Sequence, residues 1–331
     1  MTVPHGSSTI TDVSDNDGAI RVSPSLHWSE ADGWTSISET VVTEAPLATE
    51  IAYERNGREI INVLAVTMRT PGHDPELAIG FLRAEGIISN RADIQAITTA
   101  PKNARGENVS TQRVRLVRAP REDLHRISRG LVTSSACGLC GRISLEGIPL
   151  QRADASDTEP PLSGDFIVRL PNLLRELQVV FAETGGSHGA ALCDAAGRVL
   201  LVREDVGRHN AVDKILGAAL LRDIAGAGKI IVLSGRASFE LVQKAAAAGI
   251  PIIVAVGAPS SLAITLAHAA NVTLIGFTRA GRFNVYAHAE RLDLRDSSNP
   301  SGSYERERVD TPPLAHARSY DSNTREQTSE L

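Results

Sequence analysis

Cysteine is scarce in this sequence. The 331 residues include three cysteines, at positions 137, 140 and 193, too few for the disulfide framework that holds small secreted proteins together. The amino terminus, MTVPHGSSTI, has neither the basic start nor the apolar run of a signal peptide. We therefore expect a reducing, cytoplasmic setting in which thiols stay free for chemistry or for metal binding.

An excess of positive charge is also missing. The formal net charge is −5, so no general basic field attracts the chain to nucleic acid or to an anionic membrane. The longest apolar stretch, around residues 250–258, is far too short to span a bilayer. The sequence predicts no nucleic-acid partner and no membrane association, and any anion must bind at a local site.

The chain contains enough hydrophobic residues to form a substantial buried core. Hydrophobic residues make up 42% of the chain, which suits one large domain or two modest ones. The two ends are polar and lack a sustained hydrophobic period, and we predict that residues 1–35 and 293–331 are disordered tails. We find no internal repeat.

Residues 36–150 have the pattern of a small β-rich domain. Two strand-like runs, 50–53 and 59–67, are joined through Asn56-Gly57, a pair that favours a tight hairpin turn. A helix is predicted to begin near Pro75 and to end at Gly86. A further strand is predicted over 113–117, and the segment SSACGLCGR closes the domain.

After a polar linker at 151–164, short apolar runs alternate with segments of helical length and spacing, which predicts an α/β domain over 165–292. A hairpin turning at 194–197 precedes it, and the sheet is expected to be mixed or mostly parallel with helices on its faces. The predicted strands are 229–233, 251–256 and 272–277, and the predicted helices are 209–225, 238–248 and 260–270.

The most distinctive feature is the pair Cys137 and Cys140. Two intervening residues bring the sulfur atoms close enough to share a metal, to form a disulfide, or to pass a sulfur from one to the other. A structural zinc site needs a second pair of ligands, and Cys193, within an apolar run, is expected to be a buried and inert thiol. We predict a reactive thiol pair at Cys137 and Cys140 and no bound metal, with zinc binding as a minority alternative because histidines are available.

Four polar turns follow predicted strands or open predicted helices, where backbone N–H groups, arginine forks and helix dipoles favour anions. Taken alone, the turn at 184–188 is more typical of a tight turn before a strand, the segment at 203–220 is equally typical of a capped helix with a solvated face, and a single arginine-bearing loop is weak evidence. Together they predict a pocket for an anionic, nucleotide-like ligand at the strand ends. The candidate ligand-binding residues are Thr184, Gly185, Gly186, His188, Arg208, His209, Asn210, Lys214, Ser234, Gly235, Arg236, Phe277, Thr278, Arg279, Ala280, Gly281 and Arg282.

These segments together resemble the formate dehydrogenase accessory sulfurtransferase family, FdhD. The resemblance runs from about residue 44 to 291 and rests on a specific combination of segments: EAPL, ELAIGFLRAEGI, SSACGLCGR, TGGSHGAAL, EDVGRHNAVDK, SGRASFELVQKAA, GAPSSLA and FTRAGRFNVY. It implies a cytidine-deaminase-like larger domain with a smaller β-rich domain attached. Deaminase chemistry is not expected, because His188 is followed by Gly189-Ala190 and Cys137 is preceded by alanine rather than proline.

The resemblance implies a sulfur relay. A cysteine desulfurase would hand a persulfide sulfur to Cys137, and the protein would deliver it to the molybdenum of bis(molybdopterin guanine dinucleotide), a cargo required by the catalytic subunit of formate dehydrogenase. The loop at 277–282 would hold that cofactor, and the protein would be a homodimer. The sequence leaves open whether Cys140 takes up the persulfide, releases it through a disulfide, or protects it.

Two other functions remain open at this point. The protein is alternatively a non-catalytic chaperone for the molybdenum cofactor, with the cysteines as a gate or redox latch. A weaker third reading is a zinc-dependent nucleotide hydrolase, which would require stoichiometric metal.

Overall fold

The computed structural model describes residues 18–120 and 161–294. Within these ranges the strands form a two-stranded ribbon, a four-stranded sheet and a six-stranded sheet. The strands are β1 Ile20–Ser29, β2 Gly33–Val42, β3 Ala45–Arg55, β4 Arg58–Arg69, β5 Ile94–Ala100, β6 Ser110–Leu116, β7 His188–Asp194, β8 Val199–Asp205, β9 Lys229–Leu233, β10 Ile252–Ala255, β11 Thr273–Arg279 and β12 Arg282–Ala287.

Helices cover the two larger sheets. They are α1 Asp74–Ala84, α2 Gly164–Ile167, α3 Leu170–Leu177, α4 Val179–Thr184, α5 Arg208–Leu221, α6 Phe239–Ala247 and α7 Ser261–Ala269. Short 3-10 turns at Arg91–Asp93 and Ala289–Arg291 complete the described secondary structure.

The four-stranded sheet has the order β4-β3-β6-β5, with β3 and β6 parallel and the other pairs antiparallel. Asn56 and Gly57 both have positive φ, 55° and 70°, as a tight hairpin turn between twisted strands requires. The predicted hairpin is therefore confirmed. Helix α1 begins at Asp74, directly before Pro75, and packs Ala78 and Leu82 on this sheet.

The six-stranded sheet has the order β12-β11-β10-β9-β7-β8 and is mixed. Strands β9, β10 and β11 are parallel, while β7, β8 and β12 run antiparallel to their neighbours. Alternate residues of β9 enter two cores: Ile231 packs under α5, α6 and α7, whereas Ile230 packs under α2 and α3. Helices thus lie on both faces, as the sequence predicts.

Two helices cross closely where the small and large sheets meet. A Cβ atom added to Gly80 of α1 would overlap the carbonyl oxygen of Asp213 in α5, and one added to Gly217 would overlap that of Glu76. Only glycine permits this approach. The crossing therefore fixes α5, whose first turn carries several candidate ligand-binding residues.

Some predictions need correction. The predicted tail of residues 1–35 is wrong over residues 20–35, because these residues form β1 and the start of β2. Val22, Leu26 and Trp28 alternate with other residues as in a strand, but the high Ser and Asp content of residues 1–35 is typical of a disordered segment. Residues 164–184 form three helices that the sequence analysis does not predict.

The boundary predicted between residues 36–150 and 165–292 falls next to residues 121–160, outside the described part of the chain, and stays a prediction. The same holds for the tail at 293–331, of which only residues 293 and 294 are described. The structure shows a mixed α/β architecture. The likeness of the larger domain to cytidine deaminases stays an expectation from the resemblance.

Candidate functional site

A pocket of about 510 Å³ opens at the carboxyl ends of the parallel strands. Ser234 follows β9, Val256 follows β10, and Thr278 lies near the end of β11. The carboxyl edge of an open α/β sheet is the usual place for a ligand. Seven of the predicted residues line the pocket: Gly185, Gly186, His188, Ser234, Thr278, Arg279 and Ala280.

Ser234 joins two elements at the pocket floor. Its hydroxyl accepts a hydrogen bond from the Gly189 N–H at 2.9 Å, and its own N–H donates to the Gly189 carbonyl oxygen at 3.0 Å. These bonds hold the start of β7 against the end of β9. His188 is thereby placed beside the Ser234–Gly235 turn, with its Nδ1 3.4 Å from the position a Cβ on Gly235 would occupy.

His188 lies in a corner of positive charge. Burial lowers its pKa from the ordinary value, the charges of Arg208, His209 and Arg236 lower it further, and Asp205 opposes them. Burial and the neighbouring positive charges therefore favour the neutral form of the imidazole. Arg208 contributes a buried Nε that has no hydrogen-bond partner in the described part of the chain.

The predicted cofactor loop is the hairpin between β11 and β12. Its register shifts between Gly276 and Arg279, and Phe277 has a φ of 52° with its ring exposed. Thr278 points inward: it is 1% exposed, and its hydroxyl has no partner among residues 18–120 and 161–294. Gly281 at the turn has a φ of 78°, and Arg282 is exposed beyond the pocket lining.

One wall of the pocket comes from residues outside the predicted anion-binding turns. Helix α3 supplies Asn172 and Arg175, helix α4 supplies Phe181, and Gln178 lies between the two helices. The Arg175 guanidinium carbon lies 3.7 Å from the centroid of the Phe181 ring, a cation–π stack that orients both side chains. The Gln178 side-chain amide packs on Gly189, and its buried nitrogen has no described partner.

Four predicted ligand-binding residues make their described contacts inside the fold. The Thr184 hydroxyl donates to the Val180 carbonyl at 2.6 Å. His209 Nε2 lies 2.6 Å from a Glu240 carboxylate oxygen. The Asn210 amide and the Lys214 ammonium both contact Asp205, at 2.9 and 2.8 Å. Their role in cofactor binding stays a prediction.

Asp205 is the centre of these internal contacts. Fully buried, its carboxylate accepts from the N–H groups of Thr70 and Gly207 at 3.1 and 2.9 Å, in addition to Asn210 and Lys214. Glu204 beside it accepts from Val180 and Phe181, at the N-terminus of α4. These contacts fix the segment 203–214, in which Arg208 lies close enough to His188 to lower its pKa, although no residue of this segment lines the pocket.

Cys137 and Cys140 lie outside the described residues. Cys193 is buried on β7, and burial raises the pKa of its thiol to about 12. The prediction of an inert thiol at Cys193 is thus confirmed. Across residues 18–120 and 161–294, no group of three His, Cys, Asp or Glu side chains is arranged to hold a metal ion, and no helix is long and apolar enough to cross a membrane.

Comparison with known proteins decides the family. A model of the FdhD/NarQ family matches residues 43–293. The chain belongs to the FdhD/NarQ family. Its relatives include the sulfur carrier protein FdhD of Mycobacterium tuberculosis, 41% identical over 264 residues that cover 77% of this chain and 92% of the relative. That of Streptomyces coelicolor is 44% identical over 265 residues, covering 78% and 90%.

The FdhD/NarQ assignment extends to the fold. A crystal structure from Desulfotalea psychrophila, described as a formate dehydrogenase accessory protein, superposes with a TM-score of 0.62 at 28% identity. The match covers 83% of this chain and 99% of that one. The resemblance drawn from the motifs is confirmed, and the chain is a mixed α/β member of a family whose relatives are named sulfur carriers.

Proposed function

We propose that this protein is a cytoplasmic sulfurtransferase that accepts a persulfide sulfur from a cysteine desulfurase and delivers it to the molybdenum of bis(molybdopterin guanine dinucleotide). The catalytic subunit of formate dehydrogenase would receive the sulfurated cofactor. The observation that carries the proposal is the pocket at the carboxyl ends of β9–β11, with His188 and Arg279 in its lining and the charge of Arg208 next to His188. The names of the relatives support the sulfur-carrying part.

Acceptance of sulfur requires a nucleophilic thiol. The Cys137 thiolate attacks the terminal sulfur of the desulfurase persulfide, the donor's S–S bond breaks, and the donor cysteine leaves as a thiolate. Cys137 then carries a persulfide. The residues next to it in the sequence, Ser135, Ala136 and Gly138, are small, and exchange with a donor persulfide requires an accessible thiolate.

Release of the sulfur from Cys137 is balanced in atoms and electrons if Cys140 acts as the second thiol. Its thiolate attacks the inner sulfur of the Cys137 persulfide, a Cys137–Cys140 disulfide forms, and hydrosulfide leaves towards the metal cargo. The two cysteines supply the two electrons that reduce the transferred sulfur. A cellular dithiol reductant must then restore the pair before the next cycle.

The pocket suits a guanine dinucleotide. Charged phosphate oxygens pair well with the guanidinium forks of Arg208 and Arg279. The buried Thr278 hydroxyl and the Gln178 amide are free to hydrogen-bond a ligand that enters, because buried polar groups are stable only when partnered. The Arg175–Phe181 stack offers a flat surface for a base or a pterin ring.

The test is mass spectrometry of the full chain after incubation with a cysteine desulfurase and free cysteine. The expected result is one added sulfur atom on Cys137, absent from a Cys137→Ala variant and retained in Cys193→Ala, whose thiol is buried. A Cys137 that stays unmodified during desulfurase turnover would remove the sulfurtransferase proposal. An active, sulfurated formate dehydrogenase made with Cys137→Ala would favour the cofactor chaperone instead.

A further inference from the structure

Gln178 joins helices α3 and α4 and lines the pocket. Its backbone is hydrogen-bonded on both sides of the junction: its N–H donates to the Arg175 carbonyl oxygen at 3.3 Å, and its carbonyl oxygen accepts from the Ala182 N–H at 3.0 Å. Arg175 and Phe181, which stack on each other, line the same pocket. The junction therefore places the Gln178 side chain in the same wall as this flat stack.

The side-chain amide of Gln178 lies against the start of β7. A Cβ added to Gly189 would be 2.6 Å from the amide carbon and 2.7 Å from the amide nitrogen, so glycine is needed for the amide to come this close to the strand. Gly189 follows His188 and is hydrogen-bonded to Ser234, and both of these residues line the pocket. The amide thus lies at the inner edge of the pocket, next to two residues of its lining.

This amide is buried without a partner. Gln178 is 3% exposed, and its side-chain nitrogen has no hydrogen-bond partner among residues 18–120 and 161–294. A buried amide loses its hydrogen bonds to water, and this loss lowers the stability of the fold when nothing replaces them. Because most buried polar groups in proteins are hydrogen-bonded, such an exception requires an explanation. A ligand that supplies the missing acceptor provides one.

The neighbouring turn has already used its donors within the fold. The Gly185 N–H donates to the Phe181 carbonyl oxygen at 2.8 Å. The Gly186 N–H donates to the Thr184 hydroxyl at 3.1 Å, and the Ser187 hydroxyl donates to a carboxylate of β8 at 2.7 Å. On this side of the pocket, the Gln178 amide is therefore a donor that a ligand can take without breaking a hydrogen bond of the fold.

We propose that Gln178 is a ligand-binding residue of this pocket and that its amide N–H donates to the ring carbonyl oxygen that guanine and pterin share. Both rings belong to the cargo of the proposed function, on which this inference rests. The amide carries no charge and suits a neutral carbonyl, whereas arginine matches a phosphate better. Flat heterocycles bind by stacking on aromatic or guanidinium planes and by hydrogen bonds at their edges. The Arg175–Phe181 stack and Gln178 offer both kinds of contact.

The experiment compares the full chain with its Gln178→Met variant, since methionine fills a similar volume and has no amide. Loss of an unpartnered amide should leave the midpoint of thermal unfolding of the free chain unchanged or raise it. The affinity for GDP, measured by isothermal titration, should fall by about ten-fold, as expected for one lost hydrogen bond in a buried site. The affinity for inorganic pyrophosphate, which has no ring, should stay as in the wild type.

Neopterin, titrated in parallel, distinguishes the two rings. A loss of affinity for GDP alone assigns the contact to guanine, and a loss for neopterin alone assigns it to pterin. Gln112→Met is the matched control, because Gln112 is 2% exposed and its amide donates to the Thr99 hydroxyl at 2.9 Å, outside the pocket lining. The same substitution there should lower the unfolding midpoint and leave all three affinities unchanged.

Three results would overturn the inference alone. The first is a Gln178→Met variant that binds GDP and neopterin as the wild type does. The second is an unfolding midpoint that falls as far as in Gln112→Met, which would show that the amide has a partner within the chain. The third is an equal loss of affinity for pyrophosphate, which would place the contact away from the ring.

Failure of the proposed function gives a different result. A wild type that binds neither GDP nor neopterin would remove the cargo pocket and this inference with it. Loading of sulfur on Cys137 is measured separately, so the cysteine chemistry can fail while the ring contact stands.

Discussion

His188 connects charge and ligand binding at the level of a single residue. Its pKa lies below the ordinary value, first because it is partly buried and then because Arg208, His209 and Arg236 repel a proton. A bound phosphate would add negative charge and raise that pKa. Binding would then take up a proton.

We therefore expect the affinity for GDP, a probe for the guanine nucleotide portion of the cargo, to rise as pH falls. The rise should occur between the pKa of His188 in the complex and its lower pKa in the free protein. Isothermal titration in buffers of different ionisation enthalpy would measure the proton uptake. A His188→Gln variant with the same pH dependence as wild type would show that another group titrates.

Arg208 provides a second test at this scale. Replacing its guanidinium with an amide should weaken GDP binding by about ten- to a hundred-fold, because a hydrogen bond to a charged group contributes about 1.5–3 kcal/mol. Arg198→Gln is the control, since Arg198 is exposed and pairs with Asp194 at the opposite end of β7 and β8. Equal GDP affinity of Arg208→Gln and Arg198→Gln would exclude Arg208 from the site.

Buried charge pairs set stability around the site. Lys244 contacts both carboxylate oxygens of Asp213, at 2.7 and 2.9 Å. Asp213→Ala would leave the ammonium buried without this partner and should cost about 3–5 kcal/mol of unfolding free energy. Chemical denaturation would measure it. A smaller loss in Asp213→Ala/Lys244→Met is expected, and a larger one would contradict the pairing.

Residue types in short motifs predicted part of the site. Gly185, Gly186, His188 and Arg279 were found because anion-binding turns have a recognisable composition, and these four line the pocket. The same composition did not distinguish His209 and Lys214, whose described contacts are internal, since long-range partners such as Glu240 and Thr70 are invisible in a local pattern. Arg175 and Gln178 line the pocket but were not predicted, because the helical segment around them does not have the composition of an anion-binding turn.

The crossing of α1 and α5 is the feature to test at the level of elements. Gly80→Ala places a methyl group against the Asp213 backbone, which cannot yield as a side chain can, so we expect a loss of about 1–3 kcal/mol or more. Gly164→Ala is the control, because its added Cβ would meet only Phe283 at ordinary contact distance. Thermal unfolding of the two variants should differ clearly, and equal midpoints would contradict the close crossing.

Strands and helices with a clear hydrophobic pattern could be predicted from the sequence, whereas those with a mixed polar and apolar pattern could not. Strand β9 has the predicted bounds, residues 229–233, because a short, continuously apolar run fits a strand covered on both faces. The ribbon β1–β2 alternates in the manner of a strand, yet its polar face resembles a disordered tail. Helix α3 was missed between a polar linker and the TGGSH turn, although Leu170 and Leu174 have helical spacing.

At the scale of the whole molecule, the topology makes the pocket. Three parallel strands end at one edge of the six-stranded sheet, and β7 begins there, so turns far apart in sequence converge. The proposal adds that a sulfur carried at Cys137 is delivered to a cargo held at this edge. Pocket variants and cysteine variants should therefore fail at different steps.

Transfer of radiolabelled sulfur tests this claim most directly. The full chain is first loaded with label by a cysteine desulfurase, then mixed with bis(molybdopterin guanine dinucleotide) bound to molybdenum, and the label is followed by chromatography. We expect label to move from wild type to the cofactor, Cys137→Ala never to acquire it, and Arg208→Gln to acquire it but release it slowly. Label that reaches the cofactor equally well from Arg208→Gln and Arg279→Gln would contradict delivery at the pocket.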